Sequence, residues 1–248
     1  MTDAVRASLF ATCIVDQFYP EVGESTARVL EKLGVDLDFP SKQTCCGQPA
    51  FNSGFWNDAK PLAKRFLEVF EGDRYVVAPS GSCVSMVRVY YEQLLRDDPE
   101  LRARAQAVSS RVYEFTEFIV DVLGVTDVPA VNASAGRKRV TYHGSCHAKR
   151  ELGVDSQPRA LLASLPGVET VEMPGSEVCC GFGGTFAVKY PEISGAMLND
   201  KIEGIRATNA ESVVACDMGC LMHIGGGMDR QDVPVKATHI SQLIDELI

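Results

Sequence analysis

Cysteines carry the chemistry of this 248-residue sequence, and they recur in a regular order. The triplet Cys-Cys-Gly occurs at residues 45–47 and again at 179–181, and each triplet has one cysteine upstream and one downstream. The two sets are Cys13, Cys45, Cys46 and Cys83, and Cys146, Cys179, Cys180 and Cys220. Equivalent cysteines are offset by 133 residues (Cys13 to Cys146) to 137 residues (Cys83 to Cys220), which identifies an internal repeat.

Thiolate-rich sites select zinc, copper(I) or iron–sulfur clusters. Structural zinc sites usually pair cysteines a few residues apart, whereas Cys13 and Cys45 are 32 residues apart here. Adjacent cysteines span two corners of an inorganic cluster more readily than they direct both sulfurs to one small ion. The pattern therefore favours an iron–sulfur cluster over zinc. Cycling of the vicinal cysteines between thiol and disulfide is a third interpretation.

Composition excludes several classes of protein. A formal net charge of −9 and a pI near 5.0 argue against nucleic acid as a partner. No apolar run approaches the roughly 20 residues needed to span a bilayer, and the N-terminal residues make a poor signal peptide. We therefore expect a cytoplasmic protein without a membrane span, in which nine cysteines indicate metal binding or redox chemistry rather than a disulfide framework.

Short apolar runs alternate with amphipathic segments along both halves of the chain. This alternation predicts an α/β fold of two pseudo-symmetric Rossmann-like halves with mainly parallel sheets, each carrying one CCG motif. The predicted strands span residues 8–15, 35–39, 75–78, 139–143, 168–171, 212–215 and 235–237. Residues 97–123 are expected to be helical, and a helix starting at residue 221 is expected to stop at the three glycines of 225–227.

The two halves are predicted as residues 1–132 and 133–248, joined by a linker at 129–136 and packed as one unit. Ligands of parallel α/β sheets collect beyond the carboxyl ends of the strands, where the cysteines of each half are expected. Cysteines more than 30 residues apart in the sequence would then lie close together, as one group of thiols in each half. The glycine after each cysteine pair would let the backbone turn tightly.

The repeated order of cysteines resembles the cysteine-rich CCG domain, which occurs in iron–sulfur subunits of heterodisulfide reductase, glycolate oxidase and anaerobic glycerol-3-phosphate dehydrogenase. Three stretches strengthen the likeness, at residues 44–50 (TCCGQPA), 78–83 (APSGSC) and 220–226 (CLMHIGG). The chain has two such domains and neither a ferredoxin-like CxxCxxC segment nor a flavin domain. With that architecture it resembles the lactate utilization protein A family over essentially its whole length.

The resemblance implies an iron–sulfur electron-transfer subunit of a cytosolic oxidoreductase complex, acting with partner subunits rather than as a stand-alone enzyme. The implied reaction is the oxidation of L-lactate to pyruvate, and the implied cofactor is a 4Fe-4S cluster, one or two per chain. The residues leave two alternatives open, a thiol–disulfide redox enzyme like heterodisulfide reductase and a zinc-stabilised scaffold.

Both halves depart from the full CCG motif, which ends in CxxC. The first half has Ser80 where that motif has its first cysteine, and the second half has Cys216 four residues before Cys220, one residue too far. We expect one cluster in the second half, on Cys146, Cys179, Cys180 and Cys220, with Cys216 as a candidate fifth ligand. A second site would use Cys13, Cys45, Cys46 and Cys83, and one site shared across a pseudo-twofold axis is a further option.

Three histidines lie near the second set of cysteines. His143 and His147 flank Cys146, where each could hydrogen-bond a cluster sulfur, relay a proton or ligate iron, with side-chain packing as the alternative. His223 follows Cys220 by three residues and is expected to cap or pack locally.

Overall fold

The computed structural model describes residues 4–129 and 137–248, which contain two four-stranded parallel sheets, one in each half. The first sheet has the order β2-β1-β3-β4, with β1 at Arg6–Leu9, β2 at Asp36–Asp38, β3 at Tyr75–Ala78 and β4 at Val112–Glu114. The second has the order β6-β5-β7-β8, with β5 at Lys138–Tyr142, β6 at Val168–Thr170, β7 at Ser212–Ala215 and β8 at Lys236–His239. The predicted α/β class and its two pseudo-symmetric halves are confirmed.

Helices connect the strands in the same order in both halves. The first half contains α1 (Cys13–Phe18), α2 (Pro20–Lys32), α3 (Gln48–Asn52), α4 (Trp56–Val69), α5 (Gly81–Ser85), α6 (Tyr91–Leu94), α7 (Pro99–Ser109) and α8 (Phe115–Glu117). The second contains α9 (Ser156–Ser164), α10 (Thr185–Lys189), α11 (Pro191–Ala207), α12 (Met218–Arg230) and α13 (Ile240–Asp245). Single π-helical turns lie at Met86–Tyr90, Phe118–Val122 and Ala148–Leu152. Within the described ranges, no helix combines the length and apolar character that crossing a membrane requires.

Two predicted elements of the first half differ from those observed. The first strand ends at Leu9 rather than at residue 15, because the backbone at Thr12 turns to a φ of 70° and Cys13 starts a helix. The segment 97–123 contains α7 as expected but also the strand β4. Its three residues lie between α7 and α8, and no glycine or proline separates them from the flanking helical pattern.

The glycines at 225–227 do not end a helix, because α12 continues through them to Arg230. A β-carbon at Gly227 would lie 2.7 Å from the Cδ2 atom of Leu198 on α11. Glycine here therefore permits close packing of two helices rather than a turn. The predicted linker falls mostly on residues 130–136, outside the described residues, and the boundary at 132/133 stays a prediction.

The described parts of the two halves share a core. Phe115 and Phe118, in α8 and the π-helical turn after it, belong to the same buried apolar cluster as Tyr142, Leu161 and Ile240 from the second half. The halves also meet at Ser80 and Asp217, whose backbones form an antiparallel bridge. At Gly81 a β-carbon would lie 2.7 Å from the β-carbon of Ala148, so glycine allows α5 to approach the second half closely.

A buried acid at the end of β4 makes stability depend on pH. Glu114 is fully buried, and its carboxyl group accepts hydrogen bonds from the backbone N–H groups of Thr116 (2.8 Å) and Glu117 (3.2 Å). Burial nevertheless dominates and raises its pKa from 4.5 to about 8. The folded state therefore binds a proton that the unfolded state releases, and stability falls as pH rises from about 4.5 to about 8.

We expect the free energy of unfolding to fall by up to about 1.4 kcal/mol per pH unit within that window, the maximum for one group. Glu114→Gln cannot ionise and should show a flatter profile between those two pH values. Urea unfolding of both proteins across the window measures the difference. Parallel profiles would show that Glu114 does not cause the dependence.

Candidate metal centre

Eight of the nine cysteines line one cavity of about 130 Å³ where the two halves meet. All nine are free thiols in the described part of the chain. The lining cysteines are Cys13, Cys45, Cys46, Cys83, Cys146, Cys179, Cys180 and Cys220. The structure thus brings together all eight members of the two predicted sets, and both sets face the same space.

The elements place these cysteines just beyond the carboxyl ends of the strands, as parallel sheets favour. Cys83 is the third residue of α5, which follows β3, and Cys220 is the third residue of α12, which follows β7. Cys13 is the first residue of α1, after β1. Each half therefore supplies its first and last cysteines from the chain segments that leave its two central strands.

The CCG loops have the same local geometry in both halves. Gly47 and Gly181 each have a φ of +89°, a left-handed conformation that glycine adopts without steric cost. This turn lets each glycine donate its backbone N–H to the Sγ atom two residues earlier, Cys45 or Cys179, at 3.4 Å in both cases. The glycine of the motif thus provides a hydrogen bond to a sulfur as well as a tight turn.

Within each half the thiols are close enough to share a ligand. The Sγ atoms of Cys13 and Cys45 are 3.6 Å apart, and those of Cys146 and Cys179 are 4.0 Å apart. The hydrogen bond from the Cys13 thiol lowers the pKa of Cys45, and that from Cys146 lowers the pKa of Cys179. The thiolate is the form that binds metals, so each half presents one cysteine ready for ligation.

The two motif glycines provide a matched test of this geometry. Alanine at either position places a β-carbon in the left-handed region, which costs about 1–2 kcal/mol. At Gly181 the new carbon would also lie 2.7 Å from the carbonyl oxygen of Ser194, whereas at Gly47 the nearest atom, the carbonyl oxygen of Ala59, is 3.4 Å away. We expect Gly181→Ala to lose about 1–3 kcal/mol more than Gly47→Ala, measured by urea unfolding. Equal losses would contradict the asymmetry.

Cys216 lies apart from the other eight cysteines. Its side chain is fully buried in the core, and its sulfur lies 3.5 Å from the hydroxyl oxygen of Tyr142. The residues that occupy the first cysteine position of CxxC are Ser80 and Asp217, which cap α5 and α12 and pair across the halves. Cys216 therefore corresponds to Pro79 and not to a motif cysteine.

A buried histidine adds a nitrogen donor to the second set. A ring nitrogen of His143 and the sulfurs of Cys180 and Cys220 all lie within 4.8 Å of one another. His143 is fully buried, and neither of its ring nitrogens has a hydrogen-bond partner among the described residues. Burial lowers its pKa to about 3, so the imidazole is neutral and has a free lone pair.

These observations fit a bound metal group with several atoms. A buried water needs roughly 10–15 Å³, so a cavity of about 130 Å³ accommodates more than a single ion. The unpartnered nitrogens of His143 are a buried polar group that a ligand would satisfy. Sulfur donors dominate the lining, which suits zinc or an iron–sulfur cluster.

The other two histidines have local contacts. The Nδ1 atom of His147 lies 3.6 Å from the sulfur of Cys146, and His147 itself lines the cavity. The Nε2 atom of His223 lies 3.2 Å from the hydroxyl of Ser194, and its ring packs beside Phe182 at a centroid distance of 5.7 Å. His223 therefore packs locally, as expected.

Two further residues at the site were absent from the sequence predictions. The carboxylate of Asp217 accepts hydrogen bonds from the backbone N–H of Gly219 at 3.1 Å and from that of Ser82, across the halves, at 2.8 Å. Lys201 is buried on α11 and donates to backbone oxygens beside the second CCG loop. An aspartate three residues before Cys220 is a helix-cap signal, but a lysine in an amphipathic helix resembles a surface residue.

The chain is similar to known proteins over nearly its whole length. The model of the cysteine-rich CCG domain matches residues 7–88 and 140–225, so both repeats belong to this domain class. Lactate utilization protein A of Bacillus velezensis is 48% identical over 241 residues, covering 97% of this chain and 99% of that protein. The proteins of the same name from Oceanobacillus iheyensis and Bacillus subtilis are each 46% identical over 241 residues, covering 97% of this chain and 97% and 99% of their own lengths. The chain belongs to the lactate utilization protein A family.

A solved structure of an ABC transporter solute-binding protein from Conexibacter woesei aligns with 95% of this chain and 71% of its own. Its sequence identity is 17% and the TM-score is 0.30.

Proposed function

We propose that this chain is an iron–sulfur electron-transfer subunit with two sites, each formed by four cysteines of one half. The observation that carries the proposal is the convergence of eight free cysteines, in two symmetry-related sets, on one cavity. A 4Fe-4S cluster, when bound, would accept and release one electron at a time. Cys13, Cys45, Cys46 and Cys83 would hold the first, and Cys146, Cys179, Cys180 and Cys220 the second.

The surrounding residues have defined tasks in this proposal. The N–H groups of Gly47 and Gly181 donate to sulfur and so stabilise a thiolate in each CCG loop. Asp217 fixes the start of α12 and joins it to the start of α5, which holds Cys83 and Cys220 in register across the halves. Cys216 packs in the shared core and binds no metal in this proposal.

The name shared by the relatives extends the proposal to lactate. We place this chain in the oxidation of L-lactate to pyruvate, as the electron-transferring member of a cytoplasmic complex with other subunits that bind the substrate. Such a complex would need a reducing compartment, in which the cysteines stay free to bind metal. No nucleic acid is involved in this proposal.

Complementation tests the proposal in the cell. A Bacillus subtilis strain lacking its own lactate utilization protein A would be supplied with this chain and grown on L-lactate as carbon source. We expect growth to return with the native chain and to fail with Cys45→Ala or Cys179→Ala. Equal growth with the native chain and both variants would reject a role for the cysteine sites in lactate use.

Two alternatives rest on specific observations. The 3.6 Å separation of the Cys13 and Cys45 sulfurs, with a lowered pKa at Cys45, would suit thiol–disulfide exchange. The group of His143, Cys180 and Cys220 would suit zinc. Anaerobically purified protein distinguishes them, because an iron–sulfur protein is brown and bleaches with dithionite, whereas a zinc or dithiol protein is colourless.

A further inference from the structure

The two halves surround their cysteines with different side chains at equivalent positions. Phe10 follows β1 and donates its backbone N–H to Val77, and His143 follows β5 and donates its N–H to Val214 in the same way. The two residues are 133 positions apart, the same offset as between the first cysteines of the two sets. A buried histidine in the second half therefore replaces a buried phenylalanine in the first.

A second pair of equivalent positions shows the same contrast. A β-carbon on Gly47 would lie nearest to the carbonyl oxygen of Ala59, and one on Gly181 nearest to that of Ser194. Ala59 and Ser194 therefore hold equivalent positions. Phe66 follows Ala59 by seven residues, and Lys201 follows Ser194 by seven. Phe66 packs edge-on against Phe10, with ring centroids 5.0 Å apart. Two aromatic rings in the first half thus correspond to an imidazole and an ammonium group in the second.

Lys201 is held at the site by the second CCG loop. Its Nζ atom donates to the carbonyl oxygen of Gly175 at 2.5 Å, and the carbonyl oxygen of Ser176 lies 3.5 Å away. The ammonium group of Lys201 therefore lies against backbone oxygens three and four residues before Cys179.

We infer that His143 and Lys201 give the second-half site the higher reduction potential, so that one electron added to this chain resides in the second half. The inference rests on the proposed function, because it concerns the sites that the cysteines form. Positive charge and hydrogen-bond donors beside thiolates stabilise the reduced, more negative state. The ring of His143, with a nitrogen within 4.8 Å of the sulfurs of Cys180 and Cys220, would supply such a hydrogen-bond donor. The Phe10–Phe66 pair provides neither effect.

A potentiometric titration of the anaerobic, iron-loaded protein, followed by electron paramagnetic resonance, tests the inference. We expect two one-electron waves, with at least a ten-fold preference for the second half, which corresponds to about 59 mV. Cys220→Ala should remove the higher wave, and Cys83→Ala the lower. Iron-loaded protein with two equal potentials, or with the higher wave lost in Cys83→Ala, would overturn this inference alone. Protein without iron would overturn the proposed function as well.

Variants that exchange the equivalent side chains of the two halves test whether His143 and Lys201 cause the difference in reduction potential. His143→Phe and Lys201→Met should each lower the higher wave and leave the lower wave in place, while Phe10→His should raise the lower wave. A higher wave that does not move in iron-loaded His143→Phe and Lys201→Met would overturn the inference. Should these core variants fail to fold, the comparison of Cys83→Ala with Cys220→Ala on the otherwise native chain decides it.

Discussion

Cys220→Ala should lose the iron of the second half, whereas Cys216→Ala, only four residues earlier, should retain the full iron content. Cys220 lines the cavity with the other cysteines of its set. Cys216 is buried against Tyr142, on the side of the sheet that forms the shared core. Removing its sulfur leaves a small gap in the core, which we expect to cost about 1 kcal/mol of stability. We expect every metal ligand to be retained.

Iron and acid-labile sulfide per chain, measured on both variants after anaerobic purification, check this expectation. Cys220→Ala should contain about half the iron of the native chain, because four cysteines of the other half remain. Loss of iron in Cys216→Ala, with folding confirmed by circular dichroism, would make Cys216 a ligand and contradict the placement of its side chain.

Asp217→Ala should be the most destabilising change of a polar residue at the site. Its carboxylate is buried, caps α12 through Gly219 and accepts the backbone N–H of Ser82 across the halves at 2.8 Å. Alanine removes the cap and leaves a half-buried N–H without its acceptor. Together these effects should cost about 2–4 kcal/mol.

Ser80→Ala is the matched control, since Ser80 holds the equivalent position in the first half. Its hydroxyl makes only long hydrogen bonds, 3.2 Å to the hydroxyl of Ser82 and 3.4 Å to both the N–H of Cys83 and the carboxylate of Asp217. We expect a loss of about 1 kcal/mol, again by urea unfolding. A loss at Asp217 no larger than that at Ser80 would show that the contact across the halves contributes little.

Local patterns predicted the fold class and located seven of the eight described strands, all but β4. The apolar runs at 75–78 and 212–215 form β3 and β7 at those residues, and the doubled cysteine order predicted two similar halves. The grouping of cysteines within each half followed from one rule, that ligands of parallel sheets collect at the carboxyl ends of the strands.

The meeting of the two groups in one cavity could not be derived in the same way. It depends on how the halves pack, and the close approach of Gly81 to Ala148 has no signal in sequence periodicity. The location of the Cys216 side chain was not predictable from spacing, which only counts residues back from Cys220, whereas the cap at Asp217 decides where α12 starts. The equivalence of Phe10 and His143 follows from the repeat offset. The burial of both side chains and the position of His143 beside two sulfurs could be seen only in the structure.

Iron and sulfide analysis of the anaerobically purified native chain tests the central claim most directly. Two four-cysteine sites predict about eight irons and about eight sulfides per chain, with a resonance signal that appears or changes on adding dithionite. Stoichiometric zinc without iron, or titratable thiols without either metal, would contradict an electron-transfer role for these cysteines.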